Sequence, residues 1–236
     1  MANQTMKIIN LIDEINRSEW LVRFYEELLL PNFSQFPDEL DSLDTFYYAL
    51  NSKSIYPYTL HITLIIEDNK ILAGASYEYY PKSESCLLTY IVVSDFAKGK
   101  GLSKILMSEI QNQLEFHYKE LKALFAESNS DKVSESEDVM NPKLRRQILN
   151  KLGFQYLDFD YIQPPLTKNS NKCRDLMLAI HKDYVTSKKV KSLIILDWLS
   201  EFWSSLCGDG YVNDLDWFET QEKLDTKRFI NVINNI

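Results

Sequence analysis

The feature that most constrains this chain is an abrupt change of pattern. The apolar run from Cys86 to Val93 gives way to Ser94-Asp95-Phe96-Ala97, then to Lys98-Gly99-Lys100-Gly101, and then directly to Leu102-Ser103-Lys104. The run before the turn is short and ends in β-branched residues, so it reads as a buried strand. Beyond the turn, Leu102, Ile105, Leu106, Ile110, Leu114, Tyr118 and Leu121 keep helical intervals, which predicts an amphipathic helix of about five turns. A strand, a glycine loop and a helix in direct succession leave the first helical amides without carbonyl partners. Glycine in such a loop lets the backbone approach an anion closely. The chain has only six glycines in 236 residues, where about 7% is usual, and two of the six are spent here.

Charge sharpens that reading. The first 97 residues carry 6 basic and 14 acidic side chains, after which Lys98, Lys100 and Lys104 fall within seven positions. Three cations on an acidic background mark a local anion site. The overall net charge of -8 argues against a general nucleic-acid binder, which needs a basic domain. No stretch approaches the roughly 18 to 20 apolar residues that span a bilayer, and Asp13 and Glu14 interrupt what a signal peptide would keep apolar, so a cytoplasmic protein with no membrane partner is expected. A hydrophobic content of 45% with 25% charge is that of a chain with a substantial core.

Metal and covalent chemistry find little support. Cys86, Cys173 and Cys207 are odd in number and far apart, which suits reduced, packed thiols and neither a disulfide framework nor a zinc knuckle. His61, His117 and His181 are unclustered, so no metal is expected. No nucleophile elbow occurs.

Around the central transition, helices and strands interleave. A short strand is expected in KIINLID, then a helix capped by Ser18 and ended by Pro31, and a second short helix across DELDSLDTFYYAL. Residues 58–68 and 71–80 read as an antiparallel hairpin turning at Asn69-Lys70, with Gly74 as a bulge in its second strand. Residues 123–128 read as a strand, 129–140 as a polar mobile loop, and Asn141-Pro142 as the cap and first turn of a helix that Gly153 ends. Strands follow at 154–162 and 173–181. From Val190 onward the chain is helical, broken at Gly208-Asp209-Gly210. An α/β fold with a mixed, mostly antiparallel central sheet flanked by helices accommodates this order, with an appended C-terminal helical element.

The glycine loop fits neither common nucleotide motif. A dinucleotide fingerprint needs a third glycine where Lys104 stands, and a Walker loop needs Ser or Thr where Gly101 stands. The order of elements instead resembles the GNAT superfamily of acyl-CoA-dependent N-acetyltransferases. In that family an Arg or Gln, two residues, Gly, one residue and then Gly or Ala bind the pyrophosphate of acetyl-CoA. Lys98, Gly101 and Ser103 stand in those positions, and Lys for Arg loses the bidentate fork. Lys151-Leu152-Gly153-Phe154 is similar to the Lys-x-Gly-Phe that closes the family's fourth helix. The resemblance covers about residues 58–181.

The resemblance implies an acyltransferase domain over residues 1–186, with 187–236 as a C-terminal helical extension. It implies acetyl-CoA as co-substrate, held by Lys98, Gly99, Lys100, Gly101, Leu102, Ser103 and Lys104, with pantetheine running along Ile91 and Val93. The backbone amide of Val93 is the expected oxyanion contact in a direct attack by a primary amine. The family's usual acid is a Tyr at the position of Leu149, so Tyr161 is the candidate acid; Glu127, with Glu78 behind it, is the candidate base. The departure at Leu149 admits a second reading, a domain that binds acyl-CoA as a sensor or interaction module without turnover. The acceptor is unidentified: the acidic first 97 residues favour a cationic amine, while Lys168, Lys172 and Arg174 beside Gln163-Pro164-Pro165 could contact an acidic acceptor or the cofactor's phosphate. Trp198, Phe202, Trp203 and Leu206 need covering, either by the chain's own sheet or by a second copy, so a monomer or a homodimer is expected.

Overall fold

The computed structural model describes residues 6–33, 40–52, 56–134, 140–166 and 170–233. Its strands include a mixed, mostly antiparallel sheet of seven and a separate two-stranded ribbon. The chain divides into two compact units, residues 1–79 with 88–119, and residues 80–87 with 120–236.

In the first unit the strand order is β1 (Lys7–Asn10), β2 (Thr59–Glu67), β3 (Lys70–Tyr80) and β4 (Ser85–Val93). The β2–β3 hairpin turns at Asp68 and Asn69, both at positive φ, a conformation that Asp and Asn adopt more readily than most residues. Leu60, Ile62 and Leu64 point to one face, where they pack with Leu21 and Phe24 of α1 (Arg17–Phe24) and with Phe46, Ala49 and Leu50 of α3 (Leu43–Asn51). On the other face lies α4 (Leu102–His117), which buries Leu102, Leu106, Met107, Ile110 and Leu114. Burying such a side chain contributes roughly 1.5 to 3 kcal/mol, so α4 is held along its whole length.

Two local expectations are revised in this unit. Helix α1 starts after Asn16, ahead of Ser18, and Pro31 does not end the helical segment, which continues through a π-turn (Tyr25–Leu29) into α2 (Leu30–Phe33). The π-turn shifts bonding from i−4 to i−5, with Leu30 N donating to Tyr25 O, and the Asn32 side chain donates to Leu28 O at 2.7 Å. The backbone thereby accommodates a proline that donates nothing. Gly74 pairs regularly with Leu64, and the irregularity in the hairpin falls at Ile65/Ile66. Gly74 is there for a different reason: a Cβ on it would lie 2.6 Å from Phe24 Cε2 and 2.8 Å from Leu64 Cδ2.

The second unit is built on β5 (Ala123–Asn129), β7 (Leu176–His181) and β6 (Phe154–Tyr156), in the order β5-β7-β6. The expected cap of α5 (Pro142–Lys151) is present, with the Asn141 side chain accepting from Leu144 N at 3.0 Å. Gly153 follows at φ 100°. The strand expected over 154–162 stops at Tyr156. Beyond it the backbone changes partner, Asp158 N donating to Asn231 O at 2.9 Å.

The tail contributes α6 (Ser192–Cys207) and α7 (Leu215–Asp225), as its pattern predicts, and adds a ribbon of β8 (Lys189–Lys191) and β9 (Phe229–Asn231). Its tryptophans are covered from within: Trp198 stacks on Phe125 at 4.4 Å and on Phe202 at 5.2 Å, and Trp203 meets Trp217 at 5.8 Å. The expected mobile loop at 129–140 lies partly outside the described residues.

Replacing Gly74 by Ala forces a methyl group into the Phe24 ring edge. Such overpacking costs about 1 to 3 kcal/mol, so the urea midpoint of Gly74→Ala is expected to fall; an unchanged midpoint would contradict the tight contact.

Candidate acyl-donor loop and buried carboxylate site

The loop expected to bind an anion is built as follows. Strand β4 ends at Val93, and Ser94 is clamped because both its amide and its hydroxyl donate to Leu72 O at 2.9 Å. A single 3-10 turn, Asp95–Ala97, leads to Gly99 at φ 82° and Gly101 at φ 74°. L-residues with a Cβ rarely adopt such angles, and at both positions the space where a Cβ would stand is open. Gly101 is the N-cap of α4 and offers no side chain to the helix start. Among the described residues, no carbonyl accepts from the amides of Gly99 to Ser103, whereas those of Lys104 and Ile105 return to Gly101 O at 3.1 and 3.3 Å. Unpaired amides at the positive end of a sixteen-residue helix form a ready anion cradle.

The cations sit around it. Lys98 pairs with Asp95 at 2.6 Å, both side chains being exposed, so the pair contributes little and yields readily to a stronger anion. Lys100 and Lys104 are exposed and, among the described residues, have no acidic partner. Along β4, Tyr90 and Val92 face the α1–α3 side. Alternation from Tyr90 and Val92 assigns Ile91 and Val93 to the opposite face.

The second unit carries a partly buried acid. Glu127 is the one position of β5 that is not fully buried by its neighbours. Its carboxylate accepts a hydrogen bond from the Tyr161 hydroxyl and another from Gln163 Nε2 at 2.9 Å. Gln163 is held in turn by a two-way backbone bridge to Cys173, at 2.9 and 3.1 Å. Burial pushes the Glu127 carboxyl up to about 7, against the opposing pull of the two donors. Burial and the adjacent carboxylate hold the Tyr161 hydroxyl well above its ordinary value of 10.0. A carboxyl poised near neutrality is what proton transfer at physiological pH requires.

No protein-family model matches the sequence, and no curated protein sequence matches it either. Solved structures do. One from Bacteroides thetaiotaomicron, described as an acetyltransferase of the GNAT family, aligns over 86% of this chain and 98% of its own, at 18% identity and a TM-score of 0.57. The fold is that of the GNAT superfamily. The ribosomal-protein-S18-alanine N-acetyltransferase of Escherichia coli aligns over 78% of this chain and 97% of its own, at 14% identity and a TM-score of 0.48.

Within this GNAT fold the expected residues separate into groups. Lys98 to Lys104 form one continuous cradle in the first unit. Glu127 and Tyr161, 34 positions apart in the chain, are brought into direct hydrogen bonding in the second. Leu149, where the resemblance leads one to expect a tyrosine, is a buried side chain of α5 with no proton to offer. Lys172 and Arg174 are not available in the way expected: Lys172 bonds Asp214 and Asp216 at 2.6 and 2.7 Å, and Arg174 bonds Asp216 at 2.5 Å. Those aspartates begin α7, so the two cations fasten the tail. Lys168 lies outside the described residues. Among the described residues no group of three metal-ligating side chains occurs, and no helix is long and apolar enough to cross a membrane.

Gln163 was not foreseen as a partner of Glu127; its place directly before Pro164-Pro165 was the available signal, since a rigid turn fixes the side chain that precedes it. Removing the Tyr161 hydroxyl takes away a donor that favours the ionised form, so the Glu127 pKa should rise further above 7 in Tyr161→Phe. Carbon-13 carboxyl titration by NMR reads this directly, and a downward shift would contradict the geometry.

Proposed function

We propose that this chain transfers an acetyl group from acetyl-CoA to a primary amine by direct attack. The observation that carries the reading is the row of unpaired amides from Gly99 to Ser103 at the head of α4, on a GNAT fold. Pyrophosphate suits this cradle because its oxygens accept several amide hydrogens at once, with Lys100 and Lys104 neutralising charge beside them.

In the proposed reaction the neutral amine nitrogen attacks the thioester carbonyl carbon. The new C–N bond forms as the C–S bond breaks, and the negative charge that develops on the carbonyl oxygen is taken by the backbone amide of Val93. Glu127 accepts the proton that the amine loses. The CoA thiolate leaves and regains a proton from solvent. Tyr161 holds its own proton too firmly to serve a thiolate well, and its part is to hold Glu127 in position.

Four measurements test this. Gly101→Glu strains the left-handed backbone of the loop and puts a negative charge into the cradle, at an exposed position where no neighbouring atom meets the new Cβ, so the core should persist while acetyl-CoA binding, followed by calorimetry, is lost. Binding equal to that of the unmodified chain would mean that the loop is not the donor site. Glu127→Gln should lower kcat by about 10² to 10⁴, the usual contribution of a general base. In the unmodified chain a protonated Glu127 cannot accept a proton, so the rate should rise with pH up to about 7. That limb should vanish in Glu127→Gln. Acetyl-CoA binding without thiol release for any amine in a broad panel would contradict the transfer reading.

A further inference from the structure

In the second unit a continuous run of bonds leads from the appended tail to the Glu127 carboxylate. Gln163 Nε2 donates to Glu127 Oε2 at 2.9 Å. The Gln163 backbone is held in both directions by Cys173, whose carbonyl accepts from Gln163 N at 2.9 Å and whose amide donates to Gln163 O at 3.1 Å. The residues on either side of Cys173 are the two cations that reach the tail. Lys172 donates to Asp214 Oδ1 at 2.6 Å and to Asp216 Oδ2 at 2.7 Å, and its Nζ lies 5.6 Å from the centre of the Trp203 ring on α6. Arg174 donates to Asp216 Oδ1. Asp216 thus spends both oxygens on the 172–174 segment, one on each cation.

That segment depends on the fastening. The Gln163–Cys173 pairing is an isolated bridge outside any strand, and β7 begins only at Leu176. An isolated bridge opens locally at little cost unless side chains hold it. Two cations sharing two carboxylates form a network, which contributes where a single exposed ion pair does not. The balance at Glu127 is set by burial, Tyr161 and Gln163, with no charged side chain among the causes, and the residue opposite it on β7 is Leu178. The tail therefore reaches Glu127 through the placement of a donor and not through its own charge.

We propose that the C-terminal extension is part of the working site, with Asp216, supported by Asp214, acting as a positioning residue that holds Gln163 on Glu127 through Lys172, Cys173 and Arg174. Its bearing on catalysis rests on the reading of Glu127 as the base; the positioning itself does not. A donor held on the carboxylate favours its ionised form, the form that accepts a proton. Releasing the tail from the 172–174 segment frees Gln163 and withdraws that support.

The test is a carbon-13 carboxyl titration of Glu127 by NMR in the full chain without acetyl-CoA. Gln163→Leu removes the donor outright and should raise the Glu127 pKa by about one pH unit, the weight of one hydrogen bond to a charged acceptor. Asp216→Ala, which leaves the Asp214 cap of α7 in place, should move it in the same direction, and Asp216→Glu should bring it back toward that of the unmodified chain. Gln163→Leu and Asp216→Ala combined should raise it no further than Gln163→Leu alone, because both act on one bond. An unmoved titration in Asp216→Ala, or two effects that add in full, would overturn the proposal. Should Asp216→Ala loosen α7, as read from the Trp217 indole resonance, Lys172→Met breaks the same fastening with both aspartates in place and is judged by the same outcomes. The predicted titrations together with an unchanged kcat in Glu127→Gln keep the positioning and lose the base. A lowered kcat in Glu127→Gln beside an unmoved titration in Asp216→Ala does the reverse.

Discussion

The left-handed backbone at Gly101 is the constraint on which the donor site depends. With φ at 74°, the chain leaves the β4 exit loop and begins α4 with its first amides unpaired. A residue confined to negative φ would not hold that entry angle without strain. The loop does not orient the helix by itself. Leu102, Leu106, Met107, Ile110 and Leu114 are buried along one stripe, so the core fixes the direction of α4 and the glycines only have to meet it. A cradle anchored in this way is set before any ligand arrives, which is how binding avoids the cost of ordering a loop.

The basic side chains of the two units are put to different uses. Lys100 and Lys104 stand at the start of α4 with no acidic partner among the described residues. In the second unit, Lys172 and Arg174 are spent on Asp214 and Asp216 at the head of α7, where they act as a fastening for the tail.

What could be read in advance follows the physics of each feature. The succession of β4, glycine loop and α4 was legible because backbone conformation there depends on local residue types, and the Asn141-Pro142 cap and the Gly153 helix end were legible for the same reason. Pro31 misled because a π-turn two residues earlier and the Asn32 side chain absorb what a proline normally disrupts. Gly74 read as a bulge, whereas its reason is the ring of Phe24, a contact across 50 positions that no local pattern encodes. The strand after Gly153 ended early because a tail segment more than 70 residues away takes over its hydrogen bonds. Glu127 could be nominated from its strand, yet Gln163 and the shift toward neutrality follow from tertiary burial.

The most direct test of the central claim is a nitrogen-15 amide NMR titration of the full chain with acetyl-CoA. The account predicts saturable shifts concentrated in Gly99, Lys100, Gly101, Leu102 and Ser103, because phosphate oxygens would accept from those unpaired amides. Saturable binding that leaves those five amides unmoved would contradict it.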